Sequence, residues 1–261
     1  MLTVGDVAQF LEEFAPASLA ESWDNVGLLV GNLEQPIQRV MTCLTITSAS
    51  AREAVEAKAE LIVSHHPLPF RAVKRLTSET SEGRLLLDLI GARISVFSPH
   101  TAFDSAQQGI NARLATLLQL SDVRPLVPGA ELGQGAGRFG TLGAAVSLSE
   151  LTSRVKNLLA IHHIQAVGSL AQSVHKVAVA CGSAGEFLGP AKAAGCDCLV
   201  TGEVRFHTCL EAESLGMGIV LAGHFASERF AVEQLAGVLS KKFSSLQVWA
   251  SQQERDPVHW L

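Results

Sequence analysis

The chain repeats part of its own pattern, and that repeat limits the folds open to it. Gln38-Arg39-Val40 lies opposite His175-Lys176-Val177 at an offset of 137 residues, and at the same offset Leu61-Ile62-Val63-Ser64 meets Cys198-Leu199-Val200-Thr201 without a gap. After a shorter spacer, Gly218-Ile219-Val220-Leu221-Ala222-Gly223-His224 matches the pattern of Ile94-Ser95-Val96-Phe97-Ser98-Pro99-His100. Short apolar strands alternate with amphipathic, alanine-rich helices, which predicts largely parallel or mixed sheets covered on both faces. The expected fold class is therefore α/β: two similar α/β lobes, their strand ends facing one another, with a metal site between them. A chance likeness between two generic α/β units is the alternative.

Local signals fill in this frame. Thr3 caps a first helix with Asp6 in the capping-box position, and Pro16 stops it. Trp23 reads as a core anchor, while Asp24 and Asn25 sit in a turn from which they could line a site. Strands are expected over 39–46, 61–64 and 93–97, and helices over 50–59, 82–90 and 109–118. Pro99 and the mixed polarity after the third strand favour a loop from His100 to Asp104. Residues 121–140 carry two prolines and a run of glycines, the signature of a domain crossing or exposed hairpin. The expected division is a first lobe of residues 1–124 and 225–261 and a second of residues 125–224.

Composition narrows the setting. Of the 261 residues 48% are hydrophobic, enough for a substantial core without disulfides. The five cysteines are odd in number and read as buried thiols in a reducing compartment. Cys196 and Cys198 would share a face of an alternating strand. No segment has the character of an export signal or membrane span, so a cytoplasmic chain with no membrane partner is expected. A formal net charge of -5 and the absence of a basic run give weak support to nucleic acid as a partner.

The chemistry gathers where strands end. His65-His66, His100 through Asp104, and His224 through Glu228 each follow an expected strand directly, and ligands of open α/β sheets collect at such carboxyl ends. In an extended segment His65 and His66 would point to opposite sides, serving two ions or leaving one ring to orient the other. His224 and Glu228, four apart at the start of an apolar helix, share a face. Asp104 has the stronger claim as the ligand of its segment because a carboxylate can bridge two ions; His100 is a ligand, a proton shuttle or an orienting partner. This mixed nitrogen–oxygen set suits two divalent ions, with zinc, iron or manganese foremost and cobalt or nickel next. Glu203 stands where His66 stands in the first copy and could face the site without binding a metal, and nearby His207 could assist proton transfer or substrate binding; packing or a surface salt bridge is the alternative for each. Gly182-Ser183-Ala184-Gly185 is either a phosphate-binding turn or an ordinary tight turn.

Together with Trp23-Asp24-Asn25-Val26-Gly27-Leu28 and Thr201-Gly202-Glu203-Val204-Arg205-Phe206-His207, these segments resemble the Nif-three-like dinuclear-metal-centre family, also catalogued as GTP cyclohydrolase I type 2. The resemblance runs over essentially the full chain. It implies His65, His66, Asp104, His224 and Glu228 as metal ligands, with Asp104 and Glu228 as bridging carboxylates, and assembly into a toroidal homohexamer. The chain departs from the family at Thr45, where an acid is usual, and at Ala102, where an asparagine is usual. The first bears on substrate binding or on support of the ligands, and the second on the substrate pose; the five ligands themselves are kept. The functional expectation is a metal-dependent hydrolase acting on a nucleotide or other small phosphorylated substrate. The alternatives are a metal-stabilised ring that binds or scaffolds, and a metal-handling protein.

Overall fold

The computed structural model describes residues 1–259. The chain divides into two compact units, Met1–Phe103 with Ala231–Pro257, and Asp104–Phe230 with Val258 and His259. Trp260 and Leu261, the last positions of the expected first lobe, lie outside the described residues. The inner boundaries differ from those expected at 124/125 and 224/225.

The elements run α1 Val4–Phe14, β1 Gly27–Val30, β2 Arg39–Cys43, α2 Ser48–Glu56, β3 Leu61–Ser64, α3 Ser81–Gly91, β4 Ser95–Ser98 and α4 His100–Ser105. Then follow α5 Ile110–Leu117, β5 Ser121–Pro128, β6 Gly135–Ser147, α6 Leu148–Leu158, β7 Gln165–Val167, β8 Ser173–Ser183, α7 Leu188–Ala193 and β9 Cys198–Glu203. The chain closes with α8 Phe206–Ser214, β10 Gly218–Leu221, α9 His224–Lys242 and β11 Gln247–Ala250. Among the described residues no helix is long and apolar enough to cross a membrane.

The first unit is built on a five-stranded sheet in the order β1-β4-β3-β2-β11, parallel except for β1 at one edge. Thr3 caps α1 through the expected capping box, and Val4, Val7 and Leu11 face inward. Met41, Cys43, Ile62 and Val96 of the sheet pack with Ala51, Ala54, Leu86 and Leu89 of α2 and α3.

The second unit holds a six-stranded mixed sheet in the order β5-β6-β8-β9-β10-β7. Alternation along its central strands builds two cores. Val177, Val179, Cys198 and Val200 join one with Leu114, Leu148 and Leu151, while Ala178, Ala180 and Leu199 join the other with Leu188, Ala212 and Met217. Because Leu114, Leu118 and Leu120 belong to the first of these cores, α5 is part of this unit, and the boundary falls before it rather than after residue 124. Cys196 joins the second core and Cys198 the first, so the two do not share a face: Cys196 precedes the strand, next to Gly195 at φ +73°.

The internal repeat is visible in the hydrogen-bond register. Val40 pairs with Leu61 across β2 and β3, and Val177 pairs with Cys198 across β8 and β9, the offset of 137 residues being kept on both strands. The third strands correct the sequence alignment by one residue, since Leu61 pairs with Ser95 and Cys198 with Gly218. His100 therefore corresponds to Gly223, not to His224.

One buried cation secures the second unit near the chemistry. The Arg138 guanidinium, 2% exposed, donates to the carbonyls of Gly135 (2.5 Å), Gly137 (2.6 Å) and Gly133 (3.2 Å) in the β5–β6 hairpin. It also donates to Ala106 (2.7 Å) and Ser105 (3.2 Å), at the end of α4. A cation at helix-terminal carbonyls opposes the negative end of the dipole. Burial holds its pKa down to about 10, so it stays charged at neutral pH. Arg138→Met should cost about 2–4 kcal/mol in urea unfolding, because several buried carbonyls lose a charged donor. Arg138→Lys should recover less than half of that, since an ammonium cannot fork as a guanidinium does.

Candidate metal centre

Each unit contributes its own set of donors. In the first, His65, His66 and His100 each offer a ring nitrogen, all within 4.8 Å of one another. The centroids lie 5.1 Å apart for His65–His66, 5.1 Å for His65–His100 and 5.6 Å for His66–His100. The two adjacent rings thus do not point to opposite sides. β3 ends at Ser64 and the chain bends at both histidines, which releases them from strand alternation.

The backbone there is pinned at several points. His65 N–H donates to Cys43 O (3.0 Å) and His66 N–H to Leu44 O (2.8 Å). Ser98 Oγ donates to His65 O (2.6 Å), and Ser64 Oγ to His66 O (2.9 Å). Thr45, noted above as a departure, stands with its hydroxyl 2.7 Å from His66 Nδ1. The Thr45 turn is in turn held by the buried Glu254 carboxylate, which accepts from Leu44 N–H (2.9 Å) and Thr45 N–H (2.5 Å). Glu53 anchors that terminal segment by accepting from Ser251 Oγ (2.6 Å) and the amides of Gln252 and Gln253.

His100 is held by Asp24. Its Nδ1 lies 2.7 Å from Asp24 Oδ1, and Asp24 Oδ2 also accepts from the Thr101 amide and hydroxyl. Burial alone would raise the Asp24 pKa, but hydrogen bonds from His100 and Thr101 outweigh it and bring the value down to about 2. Ionised Asp24 can only accept, so His100 Nδ1 is the protonated nitrogen. His100 has φ +27°, whereas its counterpart Gly223 meets the same strand-to-helix turn with φ +91°. A histidine kept where glycine is cheaper is a mark of function.

In the second unit, α4 presents Asp104 and the first turn of α9 presents His224 and Glu228. The segment from His100 is thus helical, not a loop: Pro99 lies just before it, where proline does not break a helix. His224 Nε2 lies 3.2 Å from Glu228 Oε2, and Nδ1 lies 3.0 Å from Glu203 Oε1. The Glu228 hydrogen bond is the main cause that lifts the His224 pKa to about 9; burial opposes it, and the Glu228 charge and Glu203 add to it. Glu203 therefore reaches the site by orienting a histidine. His207 lies exposed in the first turn of α8 beside Phe206, outside the clustered donors among the described residues.

Two features escaped the sequence reading. Cys181 Sγ donates to Asp104 Oδ1 (3.2 Å), and burial, then the Asp104 and Glu228 charges, push its thiol pKa well up. Asn111 braces the same carboxylate's residue, donating to Asp104 O (3.2 Å) and accepting from the Cys181 amide (2.8 Å). Gly182 has a clearer purpose than a phosphate turn. At φ +67°, a Cβ there would stand 2.3 Å from Glu228 Oε1 and 3.5 Å from His224 Nε2. Gly202, the counterpart of His65, leaves similar room beneath the start of α9, where a Cβ would meet the His224 Cα at 3.0 Å.

These donors fit a divalent ion. Imidazole nitrogens and carboxylate oxygens are the right ligand types, Gly182 clears the space around Glu228, and Asp24 and Glu203 each fix a ring through its Nδ1.

Comparison with known proteins agrees with this geometry. A family model described as Duf34/NIF3 (NGG1p interacting factor 3) matches residues 2–257. A Clostridium acetobutylicum protein named GTP cyclohydrolase 1 type 2 homolog is 33% identical, covering 98% of each chain. The NIF3-like protein 1 of Drosophila melanogaster is also 33% identical, over 97% of this chain and 87% of its own. The crystal structure of Staphylococcus aureus hypothetical protein SA1388 superposes with a TM-score of 0.92 at 25% identity, covering 100% of this chain and 99% of that one.

Proposed function

The chain belongs to the Duf34/NIF3 family, and from that premise we propose that its two donor sets hold one dinuclear centre that hydrolyses a nucleotide or other phosphorylated metabolite. His65, His66, Asp104, His224 and Glu228 would hold the ions, the carboxylates of Asp104 and Glu228 offsetting their charge. The observation that carries the reading is α4, whose six residues bear both His100, a member of the histidine cluster, and Asp104. Four residues apart on a helix, these two side chains are neighbours.

A bound pair of divalent ions supplies an activated water and polarises the scissile bond. This chain's residues prepare that chemistry. Asp24 keeps the His100 proton on Nδ1 and leaves Nε2 with its lone pair, ready to accept a proton. Glu203 likewise holds His224 through Nδ1, with Nε2 turned toward Glu228, and that nitrogen must give up its proton before it can bind an ion. Thr45 orients His66 without adding the negative charge an acid would bring. The names of the Clostridium and other relatives make a nucleoside triphosphate the first substrate to test. Self-association into a toroidal hexamer is part of the same proposal and is read by sedimentation velocity.

The test is a panel of phosphate monoesters and nucleotides with protein loaded separately with zinc, manganese and iron(II). Metal-dependent turnover that disappears in Asp104→Ala is the expected result. Robust turnover by protein verified to be metal-free refutes the hydrolase; two bound ions without turnover on any substrate favour the binding or metal-handling alternatives.

A further inference from the structure

Trp23, which the sequence marks as a core anchor, is 60% exposed, and Phe70 beside it is 44% exposed. Burying large aromatic side chains is among the strongest gains available to a fold, so two held in solvent together call for a reason. Their centroids are 6.0 Å apart with planes tilted 39°. Both rings also meet His100 edge-on, at 6.0 Å and 6.1 Å.

The pair is fixed by its surroundings. Asp24, next to Trp23, is the fully covered carboxylate that binds His100 and Thr101. Asn25 Nδ2 donates to Pro69 O (2.8 Å), tying the Trp23 loop to the residue before Phe70. Rigid aromatic faces bind planar groups at little entropic cost. Beyond Phe70 the exposed loop carries Arg71, Lys74 and Arg75, with no acid before Glu79. These cations are too spread to form a dense triphosphate grip, but they make the loop that follows Phe70 basic in a chain whose net charge is -5.

We propose that Trp23 and Phe70 are the base-recognition wall of the site, stacking the heteroaromatic ring of a nucleotide whose negative charge Arg71, Lys74 and Arg75 attract. This rests on the metal-centre reading for its location beside His100, and it narrows the substrate from phosphorylated metabolites in general to those bearing a flat ring. The rings touch the ligand and not the reacting atoms, so they set specificity.

Titration calorimetry on the metal-loaded full chain tests it with AMP, GMP and CMP against ribose 5-phosphate. The base should tighten binding about 5- to 150-fold, the range of one base–aromatic stack. Trp23→Ala should remove most of that difference while changing ribose 5-phosphate binding by less than about twofold. Trp23→Phe should restore most of it, and Phe70→Ala should lower it in part. Equal binding of nucleotides and ribose 5-phosphate by the native chain, or no nucleotide binding at millimolar concentration, overturns the proposal. Equal weakening of all ligands by Trp23→Ala does so too, as does a changed sedimentation coefficient without loss of base discrimination, which would make the pair a contact between copies. No turnover is read, so an inactive enzyme leaves the wall standing, and a failed wall leaves the dinuclear hydrolase standing.

Discussion

Protein carrying Glu228→Ala is expected to retain at most one ion per chain after dialysis, against the two expected of the native protein, and to bind it at least about 100-fold more weakly. Glu228 is 3% exposed and contacts His224, so no water-facing substitute takes its place. Gly182→Ala gives the sharper version of the experiment, because it keeps every ligand. A Cβ 2.3 Å from Glu228 Oε1 on a backbone at φ +67° forces the carboxylate or the turn to move. The expected loss is about 10- to 100-fold in metal affinity, the scale set by disturbed supporting residues at metal sites. Elemental analysis with a competing chelator measures both. Native stoichiometry and affinity in Glu228→Ala would remove the dinuclear reading; native affinity in Gly182→Ala would show that the glycine is only a turn.

Metal uptake should depend steeply on pH. His224 titrates at about 9 in the metal-free chain, chiefly through its hydrogen bond to Glu228, and it must lose that proton before Nε2 can bind an ion. Below pH 9 each unit of acidification should therefore weaken binding by about tenfold on account of this one proton, so about 100-fold between pH 9 and pH 7. A weakly buffered solution at pH 7 should show close to one proton released from His224 per chain. Glu203→Gln removes one of the smaller causes and should move the break to lower pH without abolishing it. Stability of the metal-free chain should run the opposite way. The folded value lies above the ordinary 6.5, so this histidine's contribution is complete below pH 6.5 and lost as pH rises through about 9. The metal-free melting temperature should fall over that interval, while the metal-loaded one should stay flat on account of this histidine, which is neutral in both the metal-bound and the unfolded chain. A metal affinity flat from pH 7 to 9 would contradict the raised His224 pKa.

The repeat was legible because strand pairing preserves sequence offset: Val40 with Leu61 and Val177 with Cys198 are the same contact made twice. The donor segments were legible because each directly follows a strand. Helix α4 was not, since Pro99 looks like a loop signal until it is seen just ahead of the first turn. Cys181 escaped notice because its partner Asp104 lies 77 positions away in the sequence. Trp23 was misread for a related reason: apolar character alone does not distinguish a ring meant for the core from one held outward by Asp24 and Asn25. Thr45 was flagged as a departure, yet its partner in His66 came only from the fold.

The anchoring of the Thr45 turn by Glu254 has a consequence for how the protein is made. Residues Asp104–Phe230 leave the ribosome as one uninterrupted stretch and can fold as it emerges. The first sheet must wait, because β11 pairs with β2 and Glu254 with Leu44 only once both of those later segments have emerged. At about 5–20 residues per second, His65 and His66 spend about 10–40 seconds outside without the brace that shapes them. Ordered metallation therefore belongs after Glu254 has docked, and an ion captured sooner would meet a half-finished cradle.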